Sequence, residues 1–394
     1  MGRLGLLRAE FERLTQIPEA PPETDGALVF LGLVSAGTTM ETIMAVTDIL
    51  PSRPAAGARA APSVAVVGAT GAVGREFLQV FEKRGFPRSG LRLLASPRSA
   101  GRRLVCGDAS IAVEALAEDS FAGIDVALFS AGSAIAKEFA PRAVAAGAVV
   151  IDNSSAFRMD PAVPLVIPEI NPEAIGRHRG IIANPNCVAI IAGMALWPIH
   201  CRNPIRRVIM STYQSASGGG AAAMAELTDS TAAFLAGQAH APRVLPHPYA
   251  FNLFSHNTPV DPASGFNGEE IKVMNETRKI FAAPDLRISV TCVRVPVLRA
   301  HSIALTLECE QPIAPEAARA WLAAAPGVRI VDDAAENHFP MPAEASGQDE
   351  VLVGRIRRDV SDPTGHSVAL FVAGDQLLKG AALNAVQIAE RLLP

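Results

Sequence analysis

The feature that most constrains this chain is a short apolar strand followed at once by three evenly spaced glycines. Residues 63–67 read Ser-Val-Ala-Val-Val, which suits a buried parallel strand. Gly68, Gly71 and Gly74 come next, and apolar side chains at helical spacing then run from Arg75 to Arg84. Glycines allow a close approach to a pyrophosphate, and a helix N-terminus attracts that anion. The pattern predicts a dinucleotide-binding turn; the alternative is an ordinary strand-to-helix connection.

The loop after the next predicted strand bears on the choice of cofactor. This strand spans Leu91 to Ala95, and the residues behind it include Arg98 and Ser99 but no acid. In a doubly wound sheet this position faces the adenosine ribose, where an acid binds a free 2′-hydroxyl and an arginine accepts a 2′-phosphate. We therefore expect NADP rather than NAD, with a solvated basic loop as the alternative.

Strands and helices continue to alternate up to residue 151. Asp125–Ser130 and Ala148–Ile151 read as strands, with a helix at Ile135–Ala145 between them. The alternation predicts an α/β fold with a Rossmann-like parallel sheet that carries helices on both faces. Ligands bind beyond the carboxyl ends of such strands, so the polar residues that follow them are expected to border a site.

The second half of the chain predicts a different sheet. Four segments rich in β-branched residues favour the mostly antiparallel sheet of an α+β domain. They are Arg206–Gln214, Arg287–Leu298, Ser302–Cys309 and His366–Val372. We assign an NADP-binding domain to residues 63–187 and a catalytic domain to residues 188–372. Residues 373–394, with a helix at Gly380–Leu393, are expected to return to the first domain.

Composition excludes several other classes of protein. The formal net charge is -4, with both signs mixed along the chain, which gives no sign of a nucleic-acid partner or a basic membrane-binding face. The five cysteines form no C-x-x-C pair, so we expect no disulfide framework and no metal site. A reducing, cytoplasmic location follows from the same count.

Residues 1–62 differ from the rest of the chain. They contain two proline-rich stretches around an uncharged apolar run that begins at Ala27 and ends at Glu41. The run is shorter than the ~20 residues of a membrane span. The residues before it are acidic, whereas a signal peptide begins with a basic region. We expect a mobile extension.

The chemistry of the chain centres on Cys187. It follows the turn-forming residues Asn184-Pro185-Asn186 and precedes an apolar helical segment, Val188–Ile199. The dipole at a helix N-terminus stabilises a thiolate, so we expect a lowered pKa and a usable nucleophile. Most buried cysteines are inert, and we interpret the other four in that way.

Several motifs, taken in order, resemble those of the aspartate-semialdehyde dehydrogenases. They are Gly68-Ala-Thr-Gly-Ala-Val-Gly74, Arg98-Ser99-Ala-Gly, Asn-Pro-Asn-Cys187, Tyr-Gln214-Ser-Ala-Ser-Gly218, Glu269-Glu-Ile-Lys272, Arg294-Val-Pro-Val with His301, and Lys379-Gly-Ala-Ala. The resemblance covers the chain from Val64 onwards. It implies that NADPH reduces L-aspartyl 4-phosphate to L-aspartate 4-semialdehyde with release of phosphate, in lysine, threonine, methionine and diaminopimelate biosynthesis. It also implies a homodimer or larger homo-oligomer through the second-domain sheet.

The resemblance further implies a role for each matching residue. Cys187 would form a thioacyl intermediate, His301 would be the acid/base and Gln214 would orient the intermediate. Arg294 would bind the substrate carboxylate and Glu269 would lie near its amino group. The residues that match phosphate-binding positions are Arg158, Asn186 and Lys272. The cofactor-binding positions are Gly68, Thr70, Gly71, Ala72, Val73, Gly74, Arg98, Ser99, Ser217, Gly218 and Gln376.

Elementary chemistry agrees with these roles. Arginine binds a carboxylate through two parallel hydrogen bonds, and histidine titrates near neutral pH. Arg294 lies in the apolar run Val290–Leu298, where an unpaired charge is costly, which favours a function for it. The remaining histidines have no motif support and are interpreted as ordinary surface or core residues. They are His178, His200, His240, His247, His256, His338 and His366.

One departure and two alternatives remain at this point. The family usually has asparagine where this chain has Gln376, so the contact of that side chain with the nicotinamide is in doubt. N-acetyl-glutamyl-phosphate reductases share the fold and chemistry but usually show Pro-Gly-Cys-Tyr, whereas this chain reads Pro-Asn-Cys187-Val. A non-catalytic NADP-binding relative should lack the cysteine or the histidine, and both are present.

Overall fold

Two seven-stranded sheets form the framework of the molecule. The computed structural model describes residues 61–87 and 90–393. The extension predicted at residues 1–62 lies outside the described residues, apart from Ala61 and Pro62.

The first sheet is the predicted parallel one. Its strands are β1 (Val64–Val67), β2 (Arg92–Ala95), β3 (Arg103–Cys106), β4 (Ala109–Ala115), β5 (Val126–Phe129), β6 (Val149–Asp152) and β7 (Ile181–Ala183), in the order β3-β4-β2-β1-β5-β6-β7. Every neighbouring pair is parallel except β3 with β4. The strand order switches direction at β1, and ligands bind at such switch points.

Helices flank both sheets. They are α1 (Ala72–Arg84), α2 (Ser133–Ala145), α3 (Cys187–His200), α4 (Ala221–Leu235), α5 (Gly268–Ile280), α6 (Pro315–Ala323), α7 (Pro342–Ala345) and α8 (Leu383–Leu392). Among the described residues, no helix has both the length and the apolar character needed to cross a bilayer.

The strands of the first sheet are apolar throughout because helices cover both of its faces. Val64 and Val66 belong to a core with side chains of α1 and α8. Ala65 and Val67 alternate with them and belong to the opposite core, with side chains of α2. The Rossmann-like sheet covered on both faces is therefore confirmed.

The second sheet is mixed, with antiparallel pairs in the majority. Its strands are β8 (Ile205–Gln214), β9 (Phe254–Ser255), β10 (Arg287–Arg294), β11 (His301–Cys309), β12 (Val328–Ile330), β13 (Val351–Arg358) and β14 (Ser367–Gly374), in the order β12-β13-β14-β11-β8-β10-β9. The pairs β8–β10 and β12–β13 are parallel and the rest are antiparallel. One face packs on α3 in a large apolar core. The predicted, mostly antiparallel second sheet is confirmed.

Some predicted boundaries and elements differ from the structure. The strand expected at Arg287–Leu298 ends at Arg294, two residues before Pro296, which cannot donate to a strand ladder. The helix expected from Gly380 begins earlier, with a π-helical turn at Leu378–Ala382. The β3–β4 hairpin was not predicted because most of its side chains are exposed and show no apolar pattern.

A buried lysine fastens the C-terminal segment to the first sheet. Lys379 is 1 % exposed, and its Nζ donates to Glu169 and to the side-chain oxygens of Asn384 and Gln387, at 2.9 and 2.8 Å. Asn384 Nδ2 in turn donates to Asn184 Oδ1 at 2.7 Å, in the turn before α3. A buried polar chain thus connects the C-terminal segment with the segment that carries the cysteine.

Candidate active site

Three predicted site residues meet at one edge of the second sheet. β8 and β10 run parallel, and Gln214 and Arg294 are register partners at their carboxyl ends. β11 runs antiparallel to β8, so its first residue, His301, lies at the same edge. Each of the three residues is at most 4 % exposed. The mixture of parallel and antiparallel pairs is what brings these side chains together.

Cys187 reaches this edge from the first sheet. The chain leaves β7, turns through Asn184-Pro185-Asn186 and begins α3 at Cys187. Asn186 is the N-cap, because its Oδ1 accepts hydrogen bonds from the backbone N–H groups of Val188 and Ala189 at 2.9 and 3.3 Å. Cys187 therefore lies on the first turn of a capped helix, as the sequence predicts.

One cavity of about 360 Å³ gathers most of the predicted residues. Those in its lining are Val73, Arg158, Asn186, Cys187, Gln214, Ser217, Gly218, Glu269, Lys272, Arg294, His301 and Gln376. The others lie outside this lining, on the turn after β1, in the first turn of α1 and on the loop after β2. They are Gly68, Thr70, Gly71, Ala72, Gly74, Arg98 and Ser99.

The surroundings of Cys187 favour its protonated thiol. Burial raises its pKa to about 12, and the neighbouring Glu269 adds to the rise. Arg158 and Arg294 oppose the shift without cancelling it. The lowered pKa expected from the helix dipole is therefore wrong, because burial and the carboxylate of Glu269 outweigh the dipole.

The imidazole of His301 has a defined tautomer. Its Nδ1 accepts the backbone N–H of Ser215 at 3.0 Å and lies 3.0 Å from the Ser215 hydroxyl. A backbone N–H can only donate, so Nδ1 carries no proton and the neutral ring carries it on Nε2. Burial and the charge of Arg294 lower the pKa of His301 to about 3. Its Nε2 has no hydrogen-bond partner among the described residues.

Glu269 is the centre of the hydrogen bonds on the α5 side. Its Oε1 accepts from Asn186 Nδ2 at 2.9 Å and from Gln214 Nε2 at 3.2 Å, and Lys272 Nζ lies 3.6 Å from Oε2. Burial alone would raise the pKa of this carboxyl. The electrostatic effects of His256 and Lys272, together with the hydrogen bonds from Asn186 and Gln214, hold the pKa below its usual range. Glu269 is therefore an anion at neutral pH.

Arg158 is fixed by three acceptors. Its Nε and Nη2 donate to the carbonyl oxygens of Asn184 and Asn153, at 2.9 and 2.7 Å, and its Nη1 donates to Glu276 Oε1 at 3.2 Å. The other oxygen of Glu276 accepts the backbone N–H of Asn186 at 2.6 Å. A guanidinium donates five hydrogen bonds, so two N–H groups remain for an anion in the cavity.

Gln376 uses its longer side chain within the protein. Its Oε1 accepts the backbone N–H of Ala300 at 2.9 Å, and its Nε2 donates to the Ser217 hydroxyl. Ala300 has a φ of 70°, an uncommon value for a residue with a side chain, and it directly precedes His301. The side-chain amide of Gln376 thus supports the approach to β11.

Gly218 lies against the two functional side chains of the second sheet. A Cβ atom at this position would be 2.9 Å from Arg294 Nη1 and 3.1 Å from His301 Nε2. Any larger residue would displace one of them, so the turn after β8 requires glycine for close approach rather than for its backbone angles.

The turn after β1 has the geometry that a dinucleotide requires. Gly68 has a φ of 86°, and a Cβ there would lie 2.3 Å from the carbonyl oxygen of Ser130. The helix α1 begins at Ala72, with no acidic residue in its first turn. An anion at this point would therefore accept hydrogen bonds from free N–H groups of the helix, with no carboxylate of the first turn to repel it.

The loop after β2 also fits the adenosine half of a dinucleotide. Arg98 is exposed on a short 3₁₀ turn, and the Ser99 hydroxyl is 3.4 Å from the hydroxyl of Thr70 in the glycine turn. The two cofactor segments of the sequence are therefore neighbours in space.

Sequence reasoning missed three residues of the site. Glu276 could have been found, since it follows Glu269 and Lys272 at the i, i+3, i+7 spacing of one helix face. Ser215 lies within a recognised motif but had no role. His256 was interpreted as an ordinary histidine, yet it lines the cavity and its Nε2 is 2.9 Å from Arg294 Nη2. Nothing in the sequence near His256 indicated this.

Comparison with known proteins gives a consistent result. The semialdehyde dehydrogenase NAD-binding domain matches residues 63–178 and the semialdehyde dehydrogenase dimerisation domain matches residues 196–379. An aspartate-semialdehyde dehydrogenase of Synechocystis sp. is 54% identical over 330 residues, which are 84% of this chain and 97% of the relative. One from Bacillus subtilis is 44% identical over 337 residues, with 84% and 96% covered.

Solved structures agree with the sequence relatives. The chain is similar to the crystal structure of aspartate semialdehyde dehydrogenase II from Vibrio cholerae complexed with ASA, with a TM-score of 0.81 and 41% identity. The match covers 84% of this chain and 98% of that one.

The raised pKa of Cys187 predicts how the thiol reacts with iodoacetamide. In a Cys201→Ser background, which removes the exposed cysteine, alkylation of Cys187 should accelerate about tenfold per pH unit through pH 9. Glu269→Gln should speed the reaction at pH 8, because it removes a charge that disfavours the thiolate. Peptide mass spectrometry measures the rate at Cys187, and a plateau below pH 8 would contradict the protonated thiol.

Proposed function

The chain belongs to the aspartate-semialdehyde dehydrogenase family, and on that premise we propose that it reduces L-aspartyl 4-phosphate to L-aspartate 4-semialdehyde with NADPH. The observation that carries the proposal is the meeting of Cys187, His301, Arg294 and Arg158 in one cavity. We place the reaction in the cytoplasm, in the biosynthesis of lysine, threonine, methionine and diaminopimelate.

The charges of the cavity suit the two ends of this substrate. Arg294 would bind the α-carboxylate through two hydrogen bonds, and Glu269 would bind the α-ammonium group. At the other end, the free N–H groups of Arg158, the Asn186 amide and Lys272 would bind the phosphate. Glu269 Oε1 lies 2.9 Å from Asn186 Nδ2, and Glu269 Oε2 lies 3.6 Å from Lys272 Nζ, so the two binding regions are adjacent. Asn186 directly precedes Cys187, which would be the nucleophile.

The covalent step uses the thiol of Cys187. Its Sγ attacks the acyl carbon, the bond to the phosphate oxygen breaks, and phosphate leaves with the thiol proton, so a thioester remains on the enzyme. When bound, the nicotinamide cofactor would supply the hydride that reduces this thioester. The C–S bond would then break, the aldehyde would leave, and Cys187 Sγ would regain a proton. Gln214, buried beside Glu269, would orient the acyl group.

His301 would act through Nε2 as a hydrogen-bond donor, because the tautomer with its proton on Nε2 leaves no free lone pair to accept a proton. Because Nδ1 is occupied by the Ser215 N–H, the proton of the neutral ring is presented on the nitrogen that lacks a partner. A buried N–H donor of this kind stabilises an oxygen anion as it forms in a tetrahedral intermediate. The neutral ring is the expected form at physiological pH, since its pKa is lowered to about 3.

We also propose a homodimer, formed through the open face of the second sheet. The match to a dimerisation domain over residues 196–379 supports it. That face carries Ile209 and Tyr213, which are 43% and 39% exposed, and the Tyr213 ring is 6.0 Å from the ring of Phe371. Exposed apolar side chains in a row on one sheet favour burial against a second copy.

The reverse reaction tests the proposed activity. With L-aspartate 4-semialdehyde, phosphate and NADP, the native chain should form NADPH only when phosphate is present. Cys187→Ala should lower this rate by roughly 10⁴-fold or more, because the nucleophile is lost. Cys201→Ala changes an exposed cysteine and should leave the rate unchanged. Full activity of Cys187→Ala would show that the cysteine is not the nucleophile. Activity with N-acetyl-glutamate semialdehyde, but not with L-aspartate 4-semialdehyde, would show that the proposed substrate is wrong.

The preference for NADP should depend on Arg98. Arg98→Ala removes the cation next to the predicted ribose site and should raise the KM for NADP roughly tenfold, without changing the KM for NAD. Arg103→Ala, which alters an exposed arginine on β3, is the matched control. Equal effects of Arg98→Ala on both cofactors would show that this residue does not read the 2′-phosphate.

A further inference from the structure

His256 occupies a position in the cavity that no sequence motif assigns. It directly follows β9 and is 8% exposed. Its backbone N–H donates to the carbonyl oxygen of Cys292 at 2.9 Å, on β10 and two residues before Arg294. The imidazole is therefore fixed by the backbone beside the arginine that the proposed function assigns to the substrate carboxylate.

We propose that His256 is a positioning residue that orients Arg294 for the substrate carboxylate and couples it to the amino-group site on α5. The proposal rests on the function proposed above and extends it to the recognition of the α-amino acid end of the substrate.

The guanidinium of Arg294 is held at both of its terminal nitrogens. Nη1 donates to the carbonyl oxygen of Ser215 at 3.1 Å, and Nη2 donates to His256 Nε2 at 2.9 Å. Two anchors on opposite nitrogens fix the plane of the group. Of its five N–H groups, three remain, and Nε has no partner among the described residues although it is fully buried. A carboxylate needs two such donors on one edge.

The contact with Arg294 determines the tautomer of His256. Arginine can only donate, so Nε2 holds the lone pair and the proton is on Nδ1. Nδ1 lies 3.3 Å from the hydroxyl of Thr258, to which it donates. That hydroxyl donates to Asn267 Oδ1 at 3.3 Å and accepts the backbone N–H of Glu269 at 3.0 Å. Every donor in this sequence of hydrogen bonds has an acceptor.

This sequence of hydrogen bonds ends at the start of α5. Asn267 caps this helix, since its Oδ1 also accepts the N–H groups of Glu269 and Glu270, both at 3.0 Å. Glu269, which would bind the α-ammonium group, is therefore joined through Thr258 and His256 to the arginine that would bind the α-carboxylate. The α-ammonium and α-carboxylate groups are what distinguish the semialdehyde from a simple aldehyde.

Burial favours the neutral form of His256, and charges of both signs face its ring. They are Arg294 on β10 and Lys272 and Glu269 on α5. Burial lowers the pKa of His256, the two cations add to the shift and Glu269 opposes it. A proton on Nε2 would point at the guanidinium, so the neutral ring is the form that can accept from Arg294.

The test compares two substitutions and two aldehydes in the phosphate-dependent reaction of the full chain. His256→Ala removes the acceptor and should raise the KM for L-aspartate 4-semialdehyde roughly tenfold, with kcat and the KM for phosphate little changed. Propanal lacks the carboxylate and the amino group, so its kcat/KM should not change. His256→Gln places an amide oxygen near the position that Nε2 occupies in the native histidine, and it should retain most of the native affinity for the semialdehyde.

Controls separate this proposal from misfolding and from the proposed function. Unchanged turnover of propanal shows that His256→Ala is folded, and His338→Ala alters an exposed histidine as a matched control. An unchanged KM for the semialdehyde in an active His256→Ala enzyme would overturn the positioning role alone, as would equal losses with both aldehydes or a failure of glutamine to restore affinity. A native enzyme without activity on the semialdehyde would overturn the proposed function and this proposal with it.

Discussion

The hydrogen bonds of Asn186 hold Cys187, the acids of α5 and Arg158 together. The side-chain oxygen caps α3 at the residue before Cys187, and the side-chain nitrogen donates to Glu269 at 2.9 Å. The backbone N–H donates to Glu276 at 2.6 Å, and the same carboxylate accepts from Arg158. One residue between β7 and α3 thus uses each of its polar groups to position a different part of the site. Because the first sheet supplies Asn186 and the second sheet packs against α5, this cluster of bonds also joins the two sheets at the cavity.

The electrostatics of the cavity follow from burying charges of both signs. Glu269 and Glu276 lie among Arg158, Arg294 and Lys272, and each buried charge has a partner of opposite sign or hydrogen bonds that compensate for lost water. For the thiol, the opposing effects of Arg158 and Arg294 are smaller than those of burial and Glu269, so its pKa remains raised. In the proposed reaction, the substrate would bring an ammonium group to Glu269 and its phosphate would accept the thiol proton, which would favour the thioester.

The fold and most residues that line the candidate site were predictable because their signals are local. A strand, a glycine turn and a helix are contiguous in sequence, and Asn186-Cys187 is a helix start whose cap can be read directly. The partners that fix side-chain geometry were not predictable, because they come from distant segments. His256 meets Arg294 across β9 and β10, and Ser215 sets the tautomer of His301 across two strands. The pKa of Cys187 was expected to fall, which is wrong, because the helix dipole is visible in the sequence and the burial that opposes it is not.

The covalent role of Cys187 is the central claim, and trapping the acyl-enzyme tests it most directly. The native chain would be mixed with L-aspartate 4-semialdehyde and NADP in the absence of phosphate, and its intact mass and peptides would be measured. The account predicts an aspartyl group on Cys187, formed together with an equal amount of NADPH and discharged when phosphate is added. NADPH formation without an adduct, or an adduct on a different residue, would contradict it.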